Sequence, residues 1–307
     1  METTTLGKTG LQVSRLGIGL SETGFNLSAA DEAQANEVIN SALDKGINFL
    51  DTAACYDLSE EQIGNAVSHR RSEFILATKA GHYMPRNAGQ DWTAQVIIES
   101  IERSLKRMKT DHVDLLQLHS CTVETLERGE VIEALQQVQR AGKTRFIGYS
   151  GDNENAQWAV SSGIFDTLQT SFNLVDQKAR MRLLPEAERY GMGIIIKRPI
   201  GNAVWKAHSD PKPYQHNPTS TEEYFRRGQV MQAEGPLPGE PADRIETALG
   251  FLFAHPEVDV AIVGTQRPHH LASNVELLNT KLPIPNETVE ALHERFDRLS
   301  DNWQQRG

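Results

Sequence analysis

Val113-Asp114-Leu115-Leu116-Gln117-Leu118, followed at once by His119, decides how this chain folds. Its apolar residues are nearly consecutive rather than alternate, as expected of a strand buried on both faces. A helical stretch precedes it, with Val96, Ile97, Ile101, Leu105 and Met108 on one side, and another follows with Val131, Leu135 and Val138. A buried strand between two amphipathic helices is one beat of a parallel βαβ rhythm.

The rhythm continues in both directions. Upstream lie strands at Leu16–Gly19, 47–50 and 74–77; downstream they fall at 145–149, 165–168, 193–196 and 260–263. Ala35, Val38, Ile39, Ala42 and Leu43 recur at helical spacing before Gly46. Ser59 with Gln62 reads as a capping box ahead of Ile63, Ala66 and Val67, and Asp91 reads as the cap of the helix carrying Val96. Further helices fall near 156–160, 185–189 and 244–253, and after Pro268.

Eight strands, each followed by a helical stretch, specify an α/β chain of the (β/α)8 TIM-barrel class. The expected organisation is one domain over residues 1–307, with the barrel proper at about 12–284. An N-terminal hairpin turns at Gly7-Lys8-Thr9-Gly10. Residues 201–241, rich in Pro, Gly, His and charge, form an insertion after the seventh strand that is too long for a plain turn. The tail, 285–307, carries Val289, Leu292, Phe296 and Leu299 on one helical face, which is expected to cover part of the barrel. The rival is an open doubly wound sheet. Gly17 and Gly19 begin a dinucleotide fingerprint, but its third glycine position holds Glu22.

Composition narrows the function classes. Forty-one acidic against 31 basic residues give a net charge of -10, which disfavours generic nucleic-acid binding. No apolar run reaches the length of a membrane span, and the polar N-terminus does not read as a secretory signal. Cys55 and Cys121 form no CxxC pair and suit a reducing compartment, so a cytoplasmic location is expected. No motif calls for a metal, and the oligomeric state is left open, a monomer being compatible with the sequence.

Chemistry in such a barrel is expected where the strands end. Those ends carry Asp51 and Tyr56, Lys79, His119, Ser150, Gln169 with Asn173, Lys197 with Arg198, and Thr265. Each residue alone has a structural explanation, such as a capped turn, a solvent lysine or a core histidine. The order Asp, Tyr, Lys, His on neighbouring strands favours a built pocket.

Asp51-Thr52-Ala53-Ala54-Cys55-Tyr56, Ala77-Thr78-Lys79 and Leu116-Gln117-Leu118-His119 together resemble the aldo-keto reductase family, along nearly the whole chain. The resemblance implies an NADP(H)-binding barrel that reduces aldehydes or ketones, with NAD as the alternative cofactor. It places the catalytic tetrad on Asp51, Tyr56, Lys79 and His119. Reduction of a carbonyl leaves an alkoxide that needs a proton donor. A tyrosine of reference pKa about 10 becomes a better one beside a lysine cation. Asp51 would then hold Lys79, and His119 would donate to the carbonyl oxygen.

The resemblance also implies nicotinamide contacts from Ser150 and Gln169, with Gly151 in place of the usual asparagine and Asn153 nearby. Lys197 stands where many relatives stack an aromatic ring, and Arg198 would face the pyrophosphate. Thr265, Gln266 and Arg267 would meet the 2'-phosphate and Asn274 the adenine. Two other functions fit the same residues: a cofactor-binding regulatory barrel that senses redox state, and a non-redox enzyme with a Schiff base on Lys79. The last is disfavoured because a charge-paired lysine is a poor nucleophile. The pocket is expected to be lined by residues 22–25, Tyr56, Tyr83, Met84, Cys121 and Trp205, with few fixed charges.

Overall fold

A computed structural model describes residues 1–206 and 218–306. Eight parallel strands close on themselves: β1 (Leu16–Gly19), β2 (Phe49–Asp51), β3 (Ile75–Ala80), β4 (Val113–His119), β5 (Thr144–Ser150), β6 (Thr167–Ser171), β7 (Gly193–Lys197) and β8 (Val260–Gly264). β8 pairs with both β7 and β1, which excludes the doubly wound alternative. Each strand leads to a helix on the outside: α1 (Glu32–Asp44), α2 (Ser59–Val67), α3 (Ala94–Met108), α4 (Glu130–Arg140), α5 (Asn153–Ser161), α6 (Leu183–Arg189), α7 (Arg244–Phe253) and α8 (Pro268–Thr280).

The apolar core falls into two parts. The larger lies between sheet and helices. In the smaller, Phe49, Ala77, Leu115, Ile195, Val260 and Ile262 of the strands meet Leu6, Leu11 and Val13 of the N-terminal hairpin, Thr3–Thr5 paired with Gln12–Ser14. The hairpin is therefore the floor of the barrel. Its turn presses on the start of β7 so closely that a Cβ at Gly7 would lie 2.2 Å from the Gly193 amide nitrogen, and Gly7 has φ +46°. Only glycine serves there. With the floor closed, access remains at the C-terminal ends of the strands.

Several boundaries move from their expected places. β3 runs through Lys79 to Ala80, β4 includes His119, β6 includes Gln169, and β7 includes Lys197. A strand continues while its ladder is hydrogen-bonded, even after its aliphatic run has stopped. The polar residues therefore sit on the sheet itself.

Two caps are corrected. Ser59 opens α2, but its hydroxyl pairs with Thr52 Oγ1 at 2.6 Å and caps nothing, while Gln62 donates to the Thr23 carbonyl. The cap of α3 is Thr93, which accepts from the Val96 amide; Asp91 is engaged elsewhere.

The insertion opens with a 3-10 turn, Gly201–Lys206, and contains a helix, Pro218–Gln232; residues 207–217 of the expected segment lie outside the described residues. The C-terminal helix, Asn286–Leu299, buries Val289, Leu292 and Phe296. The chain then crosses to β6. Gln305 Nε2 donates to Thr170 Oγ1 and the Ser171 carbonyl, at 2.9 and 2.6 Å. Fully buried Arg227 donates to the Gln304 carbonyl, and the Arg306 amide donates to Asp176. Burial pushes Asp176 up to about 7, against the pull of that amide and of Arg227. No helix among the described residues is long and apolar enough to cross a membrane.

Candidate active site

Strand register assembles the site. β2–β3 pairing sets Asp51 beside Ala77, β3–β4 sets Lys79 beside Gln117, and β4–β5 sets His119 beside Ser150, itself paired with Gln169 of β6. Alternation along β3 then sorts neighbours. Thr78 bonds outward to Glu60 of α2 at 2.8 Å, while Lys79 turns to the barrel axis.

Lys79 and Asp51 are each only 2% exposed. Lys79 Nζ donates to Asp51 Oδ2 at 2.5 Å and to the Thr52 carbonyl at 2.9 Å. The other Asp51 oxygen accepts from Gln169 at 2.8 Å and from Gln117 at 3.4 Å. A buried ion pair of this kind persists because its remaining lone pairs are satisfied. Gln117 was missed in the sequence; its signal is an amide inside an otherwise aliphatic strand.

Tyr56 follows β2 on a turn in which its amide donates to the Ala53 carbonyl and its carbonyl accepts from the Ser59 amide. A Cβ at Gly24 would sit 2.3 Å from the Tyr56 carbonyl oxygen, so glycine is required for that approach. Lys79 Nζ lies 5.2 Å from the Tyr56 ring centroid, and the His119 ring lies 5.6 Å from it, edge-on. The four tetrad residues are thus brought together.

Burial, with the Lys79 charge second, holds His119 well below the usual imidazole range, so it is neutral at pH 7. Its Nδ1 lies 3.4 Å from Cys55 Sγ, and burial pushes that thiol up to about 11. Cys121 is fully buried in the core rather than lining the mouth; burial pushes it up to about 12.

Ser150 donates to Gln169 Oε1 at 2.9 Å. Lys197 Nζ pairs with Asp152 Oδ2 at 2.7 Å, and Asp152 Oδ1 accepts from Thr170 and the Ser171 amide. Asp152 is a second residue missed in the sequence, where nothing marked it as more than a turn carboxylate. Burial would raise it, but Lys197 and Arg198 keep it below the usual carboxylate range. Arg198 donates to Ser171 Oγ and the Arg306 carbonyl, at 3.1 and 2.6 Å. Asn173 holds the Arg198 carbonyl, and Asn153 holds the Gln305 carbonyl.

A second group surrounds the end of β8. Thr265 Oγ1 accepts from the Arg267 amide at 3.1 Å, the Gln266 carbonyl accepts from Gln34, and Asn274 is buried on α8. Arg267 is the exposed N-cap of α8 and pairs with no carboxylate among the described residues. Trp205 does not face a substrate: it is buried, donates to Glu240 at 3.0 Å and lies under Arg244. The mouth also holds more charge than expected. Lys79 and Lys197 both act on His119, and a His82–Asp91 pair lies beside it.

The sequence profile of the Aldo/keto reductase family matches residues 15–294. L-galactose dehydrogenase of Arabidopsis thaliana is 30% identical, over 98% of this chain and 97% of its own length. YqkF, an uncharacterized oxidoreductase of Bacillus subtilis, is 29% identical over 94% of each chain. The holo form of an aldo-keto reductase from Bacillus halodurans superposes with a TM-score of 0.80 over 96% of each chain at 24% identity, a likeness of fold. The closed barrel, the residues gathered at its mouth and the match over residues 15–294 agree: the chain belongs to the aldo/keto reductase family of oxidoreductases, which act on small carbonyl compounds and generally use NADP(H).

Proposed function

We propose that this protein is an NADP(H)-dependent reductase of small aldehydes and ketones, with Tyr56 as the proton donor. The observation that carries this is the placement of Lys79, pinned by Asp51 and the Thr52 carbonyl, 5.2 Å from the Tyr56 ring centroid. A fixed cation there favours the phenolate left after proton transfer. Neutral His119 can accept from the Cys55 thiol at Nδ1, leaving its Nε2–H to donate to the carbonyl oxygen. Bound NADPH would supply the hydride, and Tyr56 the proton that completes the alcohol. An amine pinned twice, as Lys79 is, is a poor Schiff-base nucleophile.

The chain offers what a dinucleotide phosphate needs. The positive end of the α8 dipole favours an anion, and Arg267, unpaired with any carboxylate among the described residues, adds charge-assisted donors. Thr265, Gln266 and Arg267 are proposed to hold the 2'-phosphate, Asn274 the adenine, and Ser150 and Gln169 the nicotinamide carboxamide. The Lys197 stem would lie along the ring and Arg198 would face the pyrophosphate. NAD is the alternative if Arg267 does not select. L-galactose, which the Arabidopsis relative is named for, is a hydroxylated aldehyde, and it extends the proposed substrate class in that direction.

The test is NADPH absorbance with purified protein and a panel of reactive aldehydes. Turnover is expected. Tight NADPH binding without turnover would favour the regulatory reading, and borohydride-trapped substrate on Lys79 would favour the Schiff-base one.

A further inference from the structure

The loop after β3 carries a side-chain pair that the proposed reaction leaves unused. His82 Nδ1 lies 2.7 Å from Asp91 Oδ2, and the other Asp91 oxygen accepts from the Tyr83 amide at 2.7 Å. The pair is held from behind. The Trp92 amide donates to the Gly81 carbonyl at 2.8 Å, and the Trp92 ring packs 4.9 Å from the His82 ring. Trp92 also fills the space above Gly81, where a Cβ would come within 1.8 Å of the indole. On its other side the His82 ring stands 5.4 Å from the ring of His119. His82 is thus a fixed member of a row of rings, Tyr56, His119, His82 and Trp92, that crosses the mouth.

Chemistry assigns the tautomer. A carboxylate accepts only, so Nδ1 carries the proton toward Asp91 and Nε2 is left as an acceptor. Burial keeps the imidazole below its usual range, helped by Arg86 and opposed by Asp91, so the ring is neutral. Among the described residues no hydrogen bond reaches Nε2. The site therefore sets a donor and an acceptor side by side: His119 for the carbonyl oxygen and His82 for something that carries a proton.

We infer that His82 Nε2 accepts a hydrogen bond from a substrate hydroxyl on the carbon next to the reacting carbonyl, so that the site selects α-hydroxy carbonyl compounds, with Asp91 as the positioning residue. The inference rests on the reductase reading of the same site. A plain aldehyde would leave this acceptor facing an alkyl group, and a polar group deprived of its partner on binding counts against that ligand.

Lactaldehyde and propanal differ by that one hydroxyl and test the inference with NADPH as cofactor. In His82→Leu, kcat/KM for lactaldehyde should fall about three- to tenfold further than for propanal, the range set by one net hydrogen bond. The loss should appear chiefly in KM. His82→Gln, which keeps an acceptor, should recover part of it, and Asp91→Asn should lose less than His82→Leu. Parallel losses on both aldehydes, or no loss on either, would overturn the inference.

Saturation-transfer NMR with propane-1,2-diol against propan-1-ol makes the comparison without turnover. Selective loss of the diol signal in His82→Leu is expected, and unselective change counts against the inference. If the wild-type protein reduces neither aldehyde, the reductase reading fails on that result alone, and the NMR comparison still decides the role of His82.

Discussion

Burying a lysine is costly unless a carboxylate lies against it, so Lys79 at 2% exposure must earn its place beside Tyr56. If the lysine tunes the phenol and the phenol gives the proton, the two substitutions should differ in kind. Tyr56→Phe should abolish carbonyl reduction while NADPH still binds, as read by steady-state rates beside a fluorescence titration. Lys79→Met should cost about 10²–10⁴ in rate, the size of an impaired proton-transfer step. Asp51→Asn should cost less, because the Thr52 carbonyl still receives Lys79. Near-normal turnover in Tyr56→Phe would remove it from the role of acid. Asp51, Lys79 and His119 could be singled out from the sequence because each stands at the end of an apolar strand, whereas Tyr56 entered through its order among them and the family resemblance. Gln117 interrupts such a strand, yet its bond to Asp51 depends on the β3–β4 register and could not be read from one strand.

Among the elements, α8 is the one on which the proposed cofactor selectivity rests. Pro268 occupies its first turn, where a missing N–H costs nothing, and Arg267 precedes it as an exposed cap. In a chain of net charge -10, attraction for a phosphate has to be local. Arg267→Ala should weaken NADPH binding by about 1.5–3 kcal/mol, or roughly ten- to more than hundredfold, while NADH binding changes little. Dissociation constants for both cofactors on both proteins decide it. Equal weakening of the two would mean that the 2'-phosphate is met elsewhere. The caps of α2 and α3 carry a different lesson. Ser59 and Asp91 have the composition of caps, but Thr52 and His82, on the strand–helix loops just upstream, engage their oxygens instead.

For the whole molecule, the last residues join parts that are far apart in sequence. Gln304, Gln305 and Arg306 meet Arg227 of the insertion helix, Thr170 and Ser171 of β6, and Asp176 beyond it. Ending the chain at Trp303 would leave several of these buried groups without partners. Each orphaned group costs about 1–3 kcal/mol, so a clear fall in Tm is expected by calorimetry. An unchanged Tm would show that water replaces the tail at no cost.

What the sequence determined by itself was the architecture: eight doubly buried strands alternating with amphipathic helices leave few ways to bury their apolar faces, and the closed barrel is one that covers them all. It also marked most of the polar strand ends, since a charged residue against an aliphatic run is visible without coordinates. Tertiary structure alone decided who pairs with whom. Lys197 with Asp152, Asp51 with Gln169 and Gln117, and Arg227 with Gln304 are contacts between segments separated by tens of residues. Local propensity carries no information about such pairs. Strand register and chain closure set those distances, and at hydrogen-bonding range a shift of one residue turns a side chain to the other face of the sheet.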